Sequence, residues 1–233
     1  MLEELRKLKN MNVFDSFKLD LEVIPGVGPE KEWSEIERKI ELVKPFAKVI
    51  HIDLIDGKFV DNATFMDPAP FAKYTKDIFF ELHMMVEDPL QYVKPWAAAG
   101  FKRFIGHIEK MPDIVSFVAT VEDIGEVGLA IDGPTPIESI DIPFEDLDCI
   151  LIYTAEKVGY SGGSFKPERL EKVKYIKEKF PSIPVEIDGG VNVECVDAAL
   201  KAGVTRFATT GYLFGAKEIE KAYQDLWEKL KAQ

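Results

Sequence analysis

The sequence is short of the residues that staple a chain, span a membrane or grip nucleic acid. Two of its 233 residues are cysteines, Cys149 and Cys195. Neither stands in a C-x-x-C pair or at metal-ligand spacing, so no disulfide framework is indicated and both read as buried packing residues. Scarce cysteine matches a reducing compartment. The opening Met1-Leu2-Glu3-Glu4-Leu5-Arg6 is charged and lacks the apolar core of a secretory leader, so the expectation is a cytoplasmic protein. No apolar run reaches the roughly 18 residues that a membrane span needs. Positive charge is in deficit: 29 Lys+Arg against 41 Asp+Glu give a formal net charge of -12. Such a field repels a phosphate backbone and argues against nucleic acid as a partner. A small anion is still admissible, through local backbone N–H groups rather than the overall field. No Gly/Ser/Pro-rich linker divides the chain, which favours one large domain.

What is present is an alternation. Short apolar runs at Leu19–Ile24, Ala47–Asp53, Ile78–Met84, Arg103–His107, Gly125–Ile131, Cys149–Tyr153, Val185–Asp188 and Thr205–Ala208 read as strands. Helical patterns lie between them, at Pro29–Lys44, Pro89–Ala99, Lys166–Lys179, Val193–Ala202 and Ala216–Lys231. Gly100 and Gly203 follow helical runs and precede strands, as helix-ending glycines do. Eight strand–helix units predict a parallel (β/α)8 TIM barrel over residues 19–233, with residues 1–18 as a helical extension in which Leu2, Leu5 and Leu8 share a face. An open doubly wound sheet is the alternative. It lacks the G-x-G-x-x-G that a dinucleotide-binding sheet carries after its first strand.

In a barrel the chemistry sits at the C-terminal ends of the strands. Only three histidines occur, and each falls at such an end: His51, with Asp53, on the second strand, His83 on the third and His107 on the fourth. Asp188 ends the seventh, before Gly189-Gly190. Alternation puts His51 and Asp53 on one face, toward the barrel mouth. His83 comes from the neighbouring strand and Asp188 from across the mouth. Two imidazoles and two carboxylates meeting there make a site for one divalent cation such as zinc, iron or manganese. His107 stands as either a support for that site or a packing residue, and only one of Met84 and Met85 can face inward. Glycine turns follow the last three strands: Ser161-Gly162-Gly163-Ser164, Gly189-Gly190 and Gly211. Glycine lets backbone N–H groups approach an anion, and phosphate sites after strands seven and eight recur in barrels.

These residues carry a resemblance. The stretches HIDLIDGKFVDNATF (His51–Phe65), ELHMMVEDPLQYV (Glu81–Val93), GHIEK (Gly106–Lys110) and VEIDGGVN (Val185–Asn192) are similar to those of ribulose-phosphate 3-epimerases. The resemblance implies a metal-dependent barrel enzyme interconverting ribulose 5-phosphate and xylulose 5-phosphate. It implies metal ligands at His51, Asp53, His83 and Asp188, with Asp53 and Asp188 as the acid/base pair. The glycine turns after the last three strands make Gly162, Gly163, Gly189, Gly190, Thr210 and Gly211 the expected sugar-phosphate contacts, with Met85 and Tyr153 as possible walls, and the resemblance suggests homo-oligomers. The sequence also departs from the family. Val23-Ile24-Pro25-Gly26-Val27-Gly28 replaces a Pro-Ser-x-Leu segment whose serine touches substrate, and Thr210-Gly211 replaces Gly-Ser. The loop Lys157–Gly163 is one residue longer, and Ile55 and Tyr153 stand for methionines.

Inverting C3 of a ketose phosphate means taking a proton from one face and returning one to the other through an enediolate. Two carboxyl groups and a Lewis acid suit that task. Alternatives are an epimerase of a hexulose 6-phosphate such as allulose 6-phosphate, a non-catalytic sugar-phosphate-binding barrel, and a lyase. The lyase reading rests on Asp56-Gly57-Lys58-Phe59-Val60-Asp61, which fits the D-x-K-x-x-D pattern of hexulose-phosphate synthase. It requires Lys58 at a strand's end, whereas the second strand is expected to end at Asp53.

Overall fold

Eight apolar segments pair side by side in sequence order and close on themselves in the computed structural model, which describes residues 21–232. The strands are β1 (Glu22–Val27), β2 (Val49–Ile55), β3 (Phe79–Met85), β4 (Arg103–His107), β5 (Glu126–Ile131), β6 (Cys149–Tyr153), β7 (Val185–Asp188) and β8 (Arg206–Thr209). All pair in parallel, with β1 also joined to β8. The helices are α1 (Trp33–Val43), α2 (Leu90–Ala98), α3 (Ile114–Glu122), α4 (Leu170–Lys179), α5 (Val196–Ala202), α6 (Gly211–Phe214) and α7 (Ile219–Lys231). This is the (β/α)8 barrel expected from the alternation. The proposed extension over residues 1–18 lies outside the described residues.

Strand alternation sorts the side chains into two cores. Outward residues such as Ile50, Ile52 and Leu54 of β2 and Phe80, Leu82 and Met84 of β3 join helix residues Ile36, Ile40, Val43 and Trp96 in the main core. Inward residues Ile55, Met85, Ile105, Ala130, Cys149, Leu151 and Tyr153 form a second apolar cluster inside the barrel. Cys149 and Cys195 are both free and buried, as packing residues should be. The β2–β3 crossover carries only a 3-10 turn, Ala69–Lys73, instead of an α-helix. Phe71 on that turn fills the helix's place, with Trp33, Trp96 and Phe101 at 4.9, 5.4 and 5.3 Å between ring centroids.

Two elements differ from expectation. The first strand runs three residues further than Leu19–Ile24 implies, through Pro25 and Gly26 to Val27. Pro25 is tolerated because it stands at a break in the ladders: pairing with β8 ends at Pro25, and pairing with β2 begins at Gly26. Helix α3 was not expected. Its Ile114-Val115-Ser116-Phe117-Val118 start is β-branched and reads as extended chain, but Asp113 caps it, accepting from the Ser116 N–H at 2.9 Å.

Candidate metal centre and substrate cavity

The register of β2 against β3 pairs His51 with Glu81, Asp53 with His83 and Ile55 with Met85. Across the barrel, β6 and β7 pair Tyr153 with Asp188. These ranks bring the expected ligands together. Asp53 Oδ1 lies 3.2 Å from His51 Nε2 and 3.1 Å from His83 Nδ1, and His83 Nδ1 lies 3.5 Å from Asp188 Oδ2. One donor atom from each of the four residues falls within 4.8 Å of every other. Both imidazoles are buried, while the Asp53 and Asp188 side chains keep 11% and 14% of their surface open to the mouth. The ring atoms are therefore sealed below, and the carboxyl groups are the part a substrate can reach.

Charge is unevenly shared among them. Burial pushes the Asp53 carboxyl up, but His51 and His83 outweigh it with hydrogen bonds and charge, holding it well below the usual carboxylate range. Asp188 is pushed up to about 7, first by burial and then by the Asp53 charge. Burial disfavours charge on both imidazoles. It brings His83 down to about 4, whereas the carboxyl groups of Asp53, Glu186 and Glu81 around the His51 ring outweigh burial and hold it well above its ordinary value. Two nitrogen and two oxygen donors converging on one position fit a divalent cation of the zinc, iron or manganese type. His83 Nε2 is buried without a hydrogen-bond partner among the described residues, and Nδ1 is the ring nitrogen turned to Asp53 and Asp188.

His107 lies outside this group. Its ring sits 4.9 Å from that of His83 and 5.1 Å from that of Phe59, and Glu109 Oε2 lies 2.9 Å from its Nδ1. Met85 faces inward and lines the cavity, whereas Met84 packs in the outer core.

A cavity of about 270 Å³ opens above the carboxylates, and Met85, Tyr153, Gly162, Gly163, Gly189, Gly190, Thr210 and Gly211 all line it. Close backbone approach requires glycine at Gly189 and Gly190. Gly190 has a φ of 74°, and a Cβ there would overlap the backbone of Ser164 and Phe165 from the preceding loop. The Thr154 hydroxyl donates to the carbonyls of Asp188 (2.9 Å) and Gly189 (2.7 Å), binding the ends of β6 and β7 together. The long loop after β6 is tied across the mouth to the loop after β2. Tyr160 Oη donates to the Asp61 carbonyl at 2.6 Å, and Asn62 Nδ2 to the Gly159 carbonyl at 2.8 Å. Tyr153 Oη supports the same loop by donating to the Lys157 carbonyl at 2.9 Å.

The D-x-K-x-x-D stretch does not reach the cavity's chemistry. Asp56 turns the loop instead, accepting from the Lys58, Phe59 and Glu87 N–H groups. The Lys58 side chain is 65% exposed, 3.4 Å from Glu87. Lys58→Met is therefore expected to leave steady-state turnover within about twofold of wild type, consistent with an exposed pair of small energetic weight.

Sequence reasoning passed over three charged residues inside the barrel, Glu81, Arg103 and Glu186, all almost wholly buried. Their signal was parity: Glu81 precedes His83 by two and Glu186 precedes Asp188 by two, so each shares its neighbour's inward face. Gly28 was also passed over. A Cβ on it would stand 2.6 Å from Asp53 Oδ2 and 2.7 Å from Asp53 Cβ.

Fold and site together define a (β/α)8 barrel with a candidate divalent-metal centre beneath a glycine-lined cavity. Over residues 30–214 the chain matches the model of the ribulose-phosphate 3 epimerase family. It is 34% identical over 210 residues to the ribulose-phosphate 3-epimerase of Schizosaccharomyces pombe, covering 87% of this chain and 91% of that protein. It is 33% identical to the cytoplasmic isoform from Oryza sativa subsp. japonica, covering 76% and 80%. The chain belongs to the ribulose-phosphate 3-epimerase family. Among solved structures, a ligand complex of KGPDC from Streptococcus mutans superposes with a TM-score of 0.72 at 14% identity, over 91% of this chain and 98% of that one. The 3-hexulose-6-phosphate synthase of Salmonella typhimurium gives 0.70 at 10% identity, over 91% and 99%. At these identities the likeness is one of fold.

Proposed function

We propose that this protein is a metal-dependent epimerase that interconverts D-ribulose 5-phosphate and D-xylulose 5-phosphate by moving the proton on C3. The observation that carries this reading is the meeting of Asp53 and Asp188 with two buried imidazoles at the mouth, under the cavity, in a chain of this family. His51, Asp53, His83 and Asp188 would hold one divalent ion, with zinc, iron and manganese all suited to the donor set. When bound, the ion supplies Lewis-acid stabilisation of the negative charge that develops on the substrate oxygens.

The protein's own residues do the rest. The glycine turns at Gly162-Gly163, Gly189-Gly190 and Gly211, with Thr210, receive the phosphate and set the sugar's register over the carboxylates. One carboxylate takes the C3 proton from one face, and the other carboxyl returns a proton to the opposite face. The asymmetry suits the division: Asp53 lies between two imidazoles and favours the ionised form, while burial and the Asp53 charge make Asp188 the easier of the two to protonate. Their roles exchange when the reaction runs in reverse. Met85 and Tyr153 wall the apolar side, and the tied loops after β2 and β6 limit water at the reacting carbon. Buried, unpaired cysteines fit a cytoplasmic enzyme.

Proton exchange at C3, followed by NMR in deuterated water with a panel of pentulose and hexulose phosphates, tests reaction and substrate together. The expected result is deuterium at C3 of both ribulose 5-phosphate and its epimer. Exchange confined to hexulose phosphates would move the substrate assignment. No exchange at C3 of any member would remove the epimerase reading.

A further inference from the structure

Below the candidate metal centre, four inward side chains of alternating character stand in one register row. His51 of β2 pairs with Glu81 of β3, Glu81 with Arg103 of β4, and Arg103 with Glu126 of β5. Each touches the next. Glu81 Oε1 lies 2.7 Å from His51 Nδ1. The Arg103 guanidinium donates to Glu81 Oε2, and its Nε donates to Glu126 Oε2 at 2.8 Å. His51, Glu81 and Arg103 are all at least nine-tenths buried.

We infer that this row is a positioning device for the metal centre, in which Arg103 anchors Glu81 and Glu81 fixes the tautomer and ring plane of His51. The inference rests on the metal-centre reading above. An imidazole can offer Nε2 to a cation only if its proton sits on Nδ1. His51 Nε2 is the atom that faces Asp53, and Nδ1 is the atom that faces Glu81. A carboxylate accepting from Nδ1–H keeps the ring in that state and raises its basicity toward the ion. Two carboxyl groups compete for this one N–H, for Glu186 Oε1 approaches it at 3.3 Å. They are not equivalent. Both Glu186 oxygens are buried without a hydrogen-bond partner among the described residues, whereas both Glu81 oxygens are engaged, one by His51 and one by Arg103. Only Glu81 is held from behind, so only Glu81 can hold something in front. Neither Glu81 nor Arg103 touches the cavity, so they are positioning residues and not catalytic ones.

The contrast between the two carboxyl groups gives the test. The metal-stripped wild type, Glu81→Gln and Glu186→Gln are titrated with Zn2+ against a chromophoric chelator, and thermal midpoints of the stripped proteins are recorded. Both changes conserve volume, and Arg103 keeps Glu126 as a partner when Glu81 is neutralised. Glu81→Gln is expected to weaken Zn2+ binding about 10–100-fold, the range seen when a support of a metal-bound histidine is removed, with a thermal midpoint close to wild type. Glu186→Gln is expected to stay within about threefold of wild-type affinity, well inside that range. If Glu81→Gln does not fold, Glu81→Asp keeps the charge for Arg103 but draws the carboxylate back from His51, and the same direction of loss is expected. Wild-type affinity in the folded Glu81 variant, or an equal loss in Glu186→Gln, overturns the positioning role while leaving the metal centre standing. Failure of the wild type itself to bind Zn2+ overturns both.

Discussion

Replacing Asp53 or Asp188 with asparagine is expected to lower kcat for C3 epimerisation by about 10²–10⁴-fold, the weight a positioned acid or base carries. The change swaps an oxygen for an NH2 at nearly constant volume, so the barrel should fold. The two variants differ in what they leave behind. Asp53 Oδ1 is the common neighbour of both imidazoles, so Asp53→Asn should also weaken the ion. Of the two imidazoles, Asp188 pairs with that of His83 alone, at 3.5 Å, so Asp188→Asn should retain more metal for the same loss of turnover. Steady-state kinetics on each variant at saturating metal, with metal content measured on the same sample, separates the two effects. Near-wild-type turnover in either variant removes that carboxyl group from the proton transfer.

Gly28→Ala is expected to be almost as damaging without touching a ligand. The added methyl would stand 2.6 Å from Asp53 Oδ2, 2.7 Å from its Cβ and 3.0 Å from its Cγ. Rotating the Asp53 side chain cannot relieve a clash with Cβ, so the whole residue must shift. A displacement of about 1 Å at a reacting group costs on the order of 10²-fold in rate. Gly26→Ala is the control two residues earlier on the same inward face. Its methyl would overlap the Thr210 hydroxyl, a side-chain terminus that can turn aside, so its effect should fall on KM through the phosphate contact and not on kcat. The comparison of kcat for the two variants should therefore show a much deeper loss for Gly28→Ala. Equal kcat values would mean that the backing of Asp53 does not govern the chemistry.

Much of this arrangement was legible in the linear sequence, because strand parity is a strict code. Once His51 is taken to face inward, Asp53 must as well, and His83 and Asp188 follow from their positions at strand ends. Strand and helix limits were less legible where local chemistry misleads. Pro25-Gly26 reads as the stop after a strand, yet β1 continues through it because no ladder bond is needed at Pro25. Helix α3 was hidden by Ile114, Val115 and Val118, whose β-branching favours extended chain, and its one helical sign was the Asp113 cap. The row of His51, Glu81, Arg103 and Glu126 was legible in parity but not in meaning. Which carboxylate an arginine holds depends on barrel register, and register arises from the pairing of strands far apart in sequence. The backing of Asp53 by Gly28 was hidden for the same reason, since it links the end of β1 to the inward face of β2.

Equilibrium titration of the metal-stripped protein with Zn2+, run beside a His51→Ala/His83→Ala double variant, tests most directly whether these four side chains form one cation site. One equivalent bound tightly per wild-type chain, and loss of that equivalent in the double variant, is the outcome expected from donors lying within 4.8 Å of one another. A double variant that still binds one equivalent with unchanged affinity would contradict it.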